Sequence, residues 1–128
     1  MVGSTEGYTG VPYSACYSAS KAFVLTLGEA LWGEFRAQGV DVLVLAPGAT
    51  DTPLLASRDL GPLKVTPMSP REVAGIGLDH LGKGPVVIPG APNRLMSALL
   101  RWLPRRWVVS LSGKAMRGIV QRTRKTPG

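Results

Sequence analysis

Val40-Asp41-Val42-Leu43-Val44-Leu45-Ala46, closed by Pro47-Gly48, is the stretch on which the fold turns. Its β-branched, nearly unbroken apolar run is that of a strand buried on both faces, the kind found inside parallel sheets. Upstream, residues 14–38 read as a helix. Phe23, Leu27, Ala30, Leu31, Glu34 and Phe35 fall at helical spacing, and Gly39 follows as a stop signal. Gly28 and Gly33 weaken that helix slightly and permit close packing against a neighbour. Downstream, residues 47–67 are punctuated by proline and glycine and read as a long loop with a short helix. Ser69-Pro70-Arg71-Glu72 matches a capping box with proline at the first helical position, opening a helix to about Leu81. Pro85-Val86-Val87-Ile88-Pro89 is a second short strand.

Two basic amphipathic helices finish the chain, residues 93–103 and 105–122, split by Pro104. Leu95, Met96, Leu99, Leu100 and Leu103 are the expected apolar positions of the first. Trp107, Val108, Leu111, Ala115 and Ile119 are those of the second. Helices alternating with strands point to the α/β class. A strand covered on both faces needs neighbours on both edges, and only residues 85–89 and 1–4 are available. Parallel sheets of this kind normally have more strands, so the chain reads as the second half of a larger fold.

The 128 residues suffice for one domain. With 45% hydrophobic and 18% charged residues the composition is globular, which excludes whole-chain disorder. Sixteen glycines and eleven prolines carry no Gly-X-Y period, which excludes collagen. Cys16 has no partner for an intramolecular disulfide, and with the lone His80 it cannot build a zinc site, so no metal and a reducing compartment are expected. The N-terminus lacks the pattern of a secretory signal, and no apolar run approaches the ~18 residues of a membrane-spanning helix. Charge is unevenly spread. Residues 1–82 are net −3, whereas residues 83–128 carry ten basic side chains and no acid, which accounts for the overall +7.

Tyr17-Ser18-Ala19-Ser20-Lys21 sets a phenol and an amine one helical turn apart on one face. That pair suits proton transfer to or from an alcohol or carbonyl oxygen, because a nearby ammonium favours the phenolate. Ser4, at the end of the first extended segment, would supply a neutral hydrogen bond to the same oxygen. Taken alone the spacing is equally that of a surface tyrosine and lysine on an ordinary helix.

Three features together resemble the short-chain dehydrogenase/reductase family, specifically its C-terminal half. Val2-Gly3-Ser4-Thr5-Glu6-Gly7 is similar to the strand-end serine motif. Residues 13–22, Tyr-Ser-Ala-Cys-Tyr-Ser-Ala-Ser-Lys-Ala, resemble the Tyr-x-x-x-Lys helix start with its small neighbours. Val44-Leu45-Ala46-Pro47-Gly48-Ala49-Thr50-Asp51-Thr52 resembles the Pro-Gly-x-x-x-Thr turn after the next strand. The likeness covers residues 1–92 and implies half of a Rossmann-type doubly wound sheet, with residues 93–128 a basic helical tail.

The resemblance implies NAD(P)-dependent hydride transfer between an alcohol and a carbonyl. Tyr17 would be the general acid or base. Lys21 would favour its ionised form and hydrogen-bond the nicotinamide ribose. Ser4 would orient the carbonyl, and Pro47, Gly48, Thr50 and Thr52 would approach the nicotinamide and its phosphates. The family's Gly-rich nucleotide turn, Asn-Asn-Ala-Gly strand and upstream asparagine have no counterpart here, which puts binding of the adenine half in doubt. A truncated chain with little activity of its own is therefore expected, or a non-catalytic remnant pairing with full-length relatives. The implied setting is cytoplasmic, with a small apolar alcohol or carbonyl as substrate and homo-oligomers formed by the full-length protein.

Other residues read more plainly. Cys16 is expected as a small buried packing residue, His80 as a partly exposed helix residue, and Tyr8 and Tyr13 as lining a loop or substrate entrance. Trp32 and Phe35 read as packing. Leu54, Leu55, Leu60, Leu63 and Val65 give residues 53–68 the apolar content of a lid over a hydrophobic substrate. The tail, with Trp102 and Trp107 among its arginines, has the composition of a helix in a membrane interface. It is equally that of helices packed over the body of the protein. No nucleic-acid docking motif accompanies the basic residues, so no nucleic-acid partner is expected.

Overall fold

The computed structural model describes residues 1–57 and 66–125. Its centre is a parallel ladder in which β1 (Val44–Leu45) pairs with β2 (Val86–Val87). On the other edge of β1, residues 1–3 run parallel, bridged through Val2 and Leu45. Gly3 N donates to the Leu45 carbonyl at 2.8 Å, and Leu45 N to the Met1 carbonyl at 2.9 Å. The ladder continues beyond the regular pairs, with Ala46 N donating to the Val87 carbonyl at 2.9 Å and Thr5 N to the Pro47 carbonyl at 3.0 Å. The central segment thus has a neighbour on each edge, as its apolar run requires. Its regular part is far shorter than the expected 40–46.

Both faces of β1 are covered, because successive strand side chains point to opposite sides. Val44 is fully buried beneath α1 (Ala15–Phe35), packed with Leu25 and Ala46. Gly28 of α1 lies so close that a Cβ there would collide with Val44, so the absence of a side chain sets the helix–sheet spacing. Leu45 faces the opposite side, where α3 (Pro70–Asp79) passes; a Cβ on Gly77 would lie 3.1 Å from its Cδ2. Burying side chains of this size is worth about 1.5–3 kcal/mol each. This is the doubly covered arrangement of the α/β class.

The helices begin where the sequence places them. Ser69 Oγ accepts from Glu72 N at 3.2 Å and Pro70 occupies the first turn of α3, which ends at Asp79, two residues earlier than expected. α1 is prolonged by a 3-10 turn, Arg36–Gln38. The long loop holds a one-turn helix, α2 (Pro53–Ala56), capped by Thr52 Oγ1. Leu60, Leu63 and Val65, and the side chain of Leu54, lie outside the described residues.

Two faces differ from expectation. On α1 the buried residues are Ser18, Leu25 and Gly28, whereas Phe23 is 66% exposed. Close approach at Gly28 leaves Leu25 as the large residue on the packed face, while Leu27, Leu31 and Phe35 of the expected positions are partly buried. Cys16 is exposed rather than buried. On α4 (Ala91–Trp102) the buried residue is Ser97, while Leu95 and Leu99 of the expected apolar stripe face outward and Met96 is more than half exposed. α5 (Arg105–Lys125) buries Val108 and Ile119 of its expected apolar positions, while Trp107, Leu111 and Ala115 are exposed.

Candidate active site

The site grows from the C-terminal ends of the three parallel segments, where open α/β sheets bind their ligands. Ser4 ends the first of them. Its backbone is still extended (φ −165°, ψ 155°), and it caps the 3-10 turn Thr5–Tyr8, with Oγ accepting from Glu6 N at 3.2 Å. The hydroxyl is buried and oriented by that bond. The Thr5–Pro47 hydrogen bond places the residue after Ser4 directly beside the end of the neighbouring segment.

Tyr17 and Lys21 lie one turn apart in the first half of α1, both half-buried. Lys21 Nζ donates to the Val2 carbonyl at 3.1 Å and sits 5.5 Å from the centroid of the Tyr17 ring. The lysine therefore ties α1 to the segment that ends in Ser4, and brings its charge to the tyrosine. The helix start is itself braced. Ser14 Oγ donates to Glu6 Oε2 at 3.0 Å, and Ser18 Oγ accepts from Val11 N at 3.3 Å. Small hydroxyls flanking Tyr17 thus fasten the helix to the loop that follows Ser4.

The Pro47–Thr52 turn is largely satisfied within itself. Thr50 Oγ1 donates to the Gly48 carbonyl at 3.3 Å, and Thr52 Oγ1 donates to the Thr50 carbonyl at 3.3 Å while accepting from Leu55 N at 3.4 Å. Gly48 is packed against Asn93 at the start of α4: an added Cβ would lie 2.6 Å from Asn93 Oδ1. Asn93 is anchored by its Nδ2, which donates to the Pro89 carbonyl at 2.9 Å. Asn93 was not legible as a site residue, since nothing in its neighbourhood of sequence points to Gly48.

A cavity of about 300 Å³ opens between the Thr5–Tyr8 turn and the last two helices, and Ser4, Tyr17 and Lys21 are not among its lining residues. Thr5, Glu6, Tyr8, Met96, Leu100 and Val108 are among the residues that line it, and most of its wall is carbon. The tail also grips the loop between Ser4 and Tyr17. Arg105 Nη1 donates to the Tyr8 carbonyl at 2.9 Å, Arg101 lies 5.7 Å from the Tyr8 ring centroid, and Arg117 Nε donates to Tyr13 Oη at 3.0 Å. Tyr13 has φ +66°, a left-handed conformation that a bulky residue adopts only when its surroundings hold it. Burial pushes the Tyr8 phenol above its ordinary value, helped by the Glu29 carboxylate and opposed by Arg101. Tyr8 lines the cavity at the end of the Thr5–Tyr8 turn, and Tyr13 lies in the loop before α1. His80 is exposed at the end of α3, its Nδ1 2.8 Å from the Ile76 carbonyl.

Known proteins resemble the chain in sequence and in fold. The short chain dehydrogenase family model matches residues 1–61, the part that carries Ser4, Tyr17, Lys21 and the Pro-Gly turn. The chain belongs to the short-chain dehydrogenase/reductase family. Among curated members of the family, a 7beta-hydroxysteroid dehydrogenase of Clostridium sardiniense is 36% identical over 95 residues, covering 73% of this chain and 36% of its own. One from Mediterraneibacter gnavus is 37% identical over 98 residues, covering 73% and 37%. A solved 7beta-hydroxysteroid dehydrogenase superposes with a TM-score of 0.75 at 28% identity, covering 87% of this chain and 45% of that one. The chain therefore spans a little over a third of the length of these curated relatives. The fold is that of part of a Rossmann-type short-chain dehydrogenase, and the family activity is that of an oxidoreductase.

The residues fit one end of a dinucleotide. An ammonium has three donors, and one N–H of Lys21 goes to Val2, so its donor set suits a ribose hydroxyl beside the Tyr17 phenol. The sequence holds no Gly-rich strand–turn–helix for the pyrophosphate and adenine.

Proposed function

We propose that this chain supplies the substrate and nicotinamide side of an NAD- or NADP-dependent oxidoreductase acting on an apolar secondary alcohol or its ketone. The observation that carries the reading is Lys21, fastened to the Val2 carbonyl beneath the Tyr17 ring, two residues before the buried hydroxyl of Ser4. In reduction, Ser4 donates a hydrogen bond to the substrate carbonyl oxygen and fixes its position. Tyr17 gives that oxygen its phenolic proton, and Lys21 stabilises the phenolate that remains. In oxidation the same proton runs back to Tyr17. The nicotinamide, when bound, supplies or accepts the hydride. Lys21 holds its ribose, with the Pro47, Gly48, Thr50 and Thr52 turn alongside.

A hydroxysteroid is the substrate class we favour. The relatives are named for that chemistry, and the carbon-walled cavity starts at the residue after Ser4. Residues 1–92 form the catalytic portion in this reading and 93–128 a tail. The whole protein is cytoplasmic and homo-oligomeric, and the 128 residues alone turn over little.

Binding is tested with the reduced nicotinamide mononucleotide, which lacks the adenine half. Added to the isotope-labelled chain, it is expected to shift the resonances of Ser4, Tyr17 and Lys21, and to lose at least tenfold in affinity in Lys21→Ala. Shifts confined to other residues, or an unchanged affinity in Lys21→Ala, would contradict the assignment.

A further inference from the structure

α4 is turned inside out. The residues it presents to the body of the protein are Asn93, Ser97 and Leu100, spaced as one helical face, and the only fully buried one among them is a serine. Its opposite face carries Leu95, Leu99 and Trp102, which are 63%, 52% and 90% exposed. At 3.6 residues per turn these three form a single stripe pointing away from the core. Amphipathic helices normally bury such a stripe, so this one is set to meet something outside the chain. α5 adds Trp107, 59% exposed, near the junction at Pro104.

Charge identifies the occupant. Arg94 beside the α4 stripe and Arg106 at the junction are exposed, while Arg101 and Arg105 are turned to Tyr8, and residues 83–128 contain no acidic side chain at all. A protein surface that packed on this face would need acids aligned with the arginines and a pocket for Trp102. An anionic bilayer offers both at once, phosphates for the guanidiniums and an interfacial layer suited to indole rings. None of the helices among the described residues is long and apolar enough to cross a membrane, so the geometry is that of a helix lying on it. We propose that the outward face of α4, with the junction to α5, is a docking surface for anionic lipid bilayers. The cavity is lined from these two helices by Met96, Ser97, Leu100 and Val108 and not by Leu95, Leu99 or Trp102. The proposal stands independently of the hydride-transfer reading.

The 128-residue chain is tested by flotation with phosphatidylcholine vesicles and with the same vesicles containing phosphatidylglycerol. It is expected to float with the second and not the first, and to dissociate at about 1 M salt, where the screening length falls to about 3 Å. Tryptophan emission should move to the blue on the anionic vesicles, and Trp102→Phe should remove most of that shift. Replacing Arg94 and Arg106 together by Gln should weaken partitioning about 25-fold, at about fivefold for each basic residue near the surface. Absence of flotation, equal flotation with neutral vesicles, or an emission unchanged by anionic vesicles would overturn the proposal. So would concentration-dependent dimerisation that Leu99→Ser abolishes, since the face would then be a contact between copies of the chain. The wild-type vesicle comparison decides the matter even where a variant fails to fold.

Discussion

The first and last thirds of this molecule handle apolar surface in opposite ways. α1 packs Leu25 and Gly28 against the sheet, ties Ser18 to the loop before it, and fixes Tyr17 and Lys21 at the sheet end. α4 places Ser97 inward and Leu95, Leu99 and Trp102 outward. Small residues on the packed face mean close approach in α1, where a buried valine lies directly beneath Gly28. In α4 they mean that the helix is tethered rather than buried, held by Asn93 at one end and by arginine contacts from its C-terminal turn and from α5. The difference separates a region specified by packing from one specified by polar ties.

The comparison is most easily broken at Gly28. Gly28→Val inserts a side chain where there is no room, and such overpacking costs about 1–3 kcal/mol. Urea unfolding should show a lower midpoint; an unchanged midpoint would mean that α1 is not held against Val44. Next comes the α3 cap. Ser69→Ala removes the acceptor for Glu72 N and should cost about 1 kcal/mol in the same experiment. A smaller effect is expected from Tyr8. Its phenol is raised in the folded state, so the stability it contributes is fully present below the ordinary phenol range and is lost as pH rises through the folded value. Absorbance titration should find a phenolate that forms above the ordinary tyrosine range, and Tyr8→Phe should remove it. The smallest effect belongs to the outward face of α4. Leu99→Ser should leave stability within about 0.5 kcal/mol of wild type, as for other exposed positions. A loss as large as that of Gly28→Val would mean that the two helices are packed alike.

How much was legible in the sequence follows the same division. The local signals held: the apolar run of β1, the Ser69-Pro70 cap, and the Tyr17/Lys21 spacing all depend on neighbours a few residues away. What failed to show was which face of a helix is inward. Periodicity reports that a helix is amphipathic; it takes large residues as the core face, and both α1 and α4 depart from that rule. Cys16, taken for a packing residue because it is small, lies on the open side of α1. Asn93 packed against Gly48 and Arg105 on the Tyr8 carbonyl join distant segments through one contact each, which no local pattern encodes.

The central claim, that Ser4, Tyr17 and Lys21 are a working half of a hydride-transfer site, is tested most directly by supplying the missing nucleotide half. A chimera joining the N-terminal portion of a 7beta-hydroxysteroid dehydrogenase relative to this chain should oxidise a hydroxysteroid with NAD or NADP. Tyr17→Phe in that chimera should lower turnover by about 10²–10⁴-fold, the usual worth of a general acid–base group, without changing its cofactor affinity. A folded, cofactor-binding chimera that is inactive, or whose turnover Tyr17→Phe leaves intact, would contradict the account.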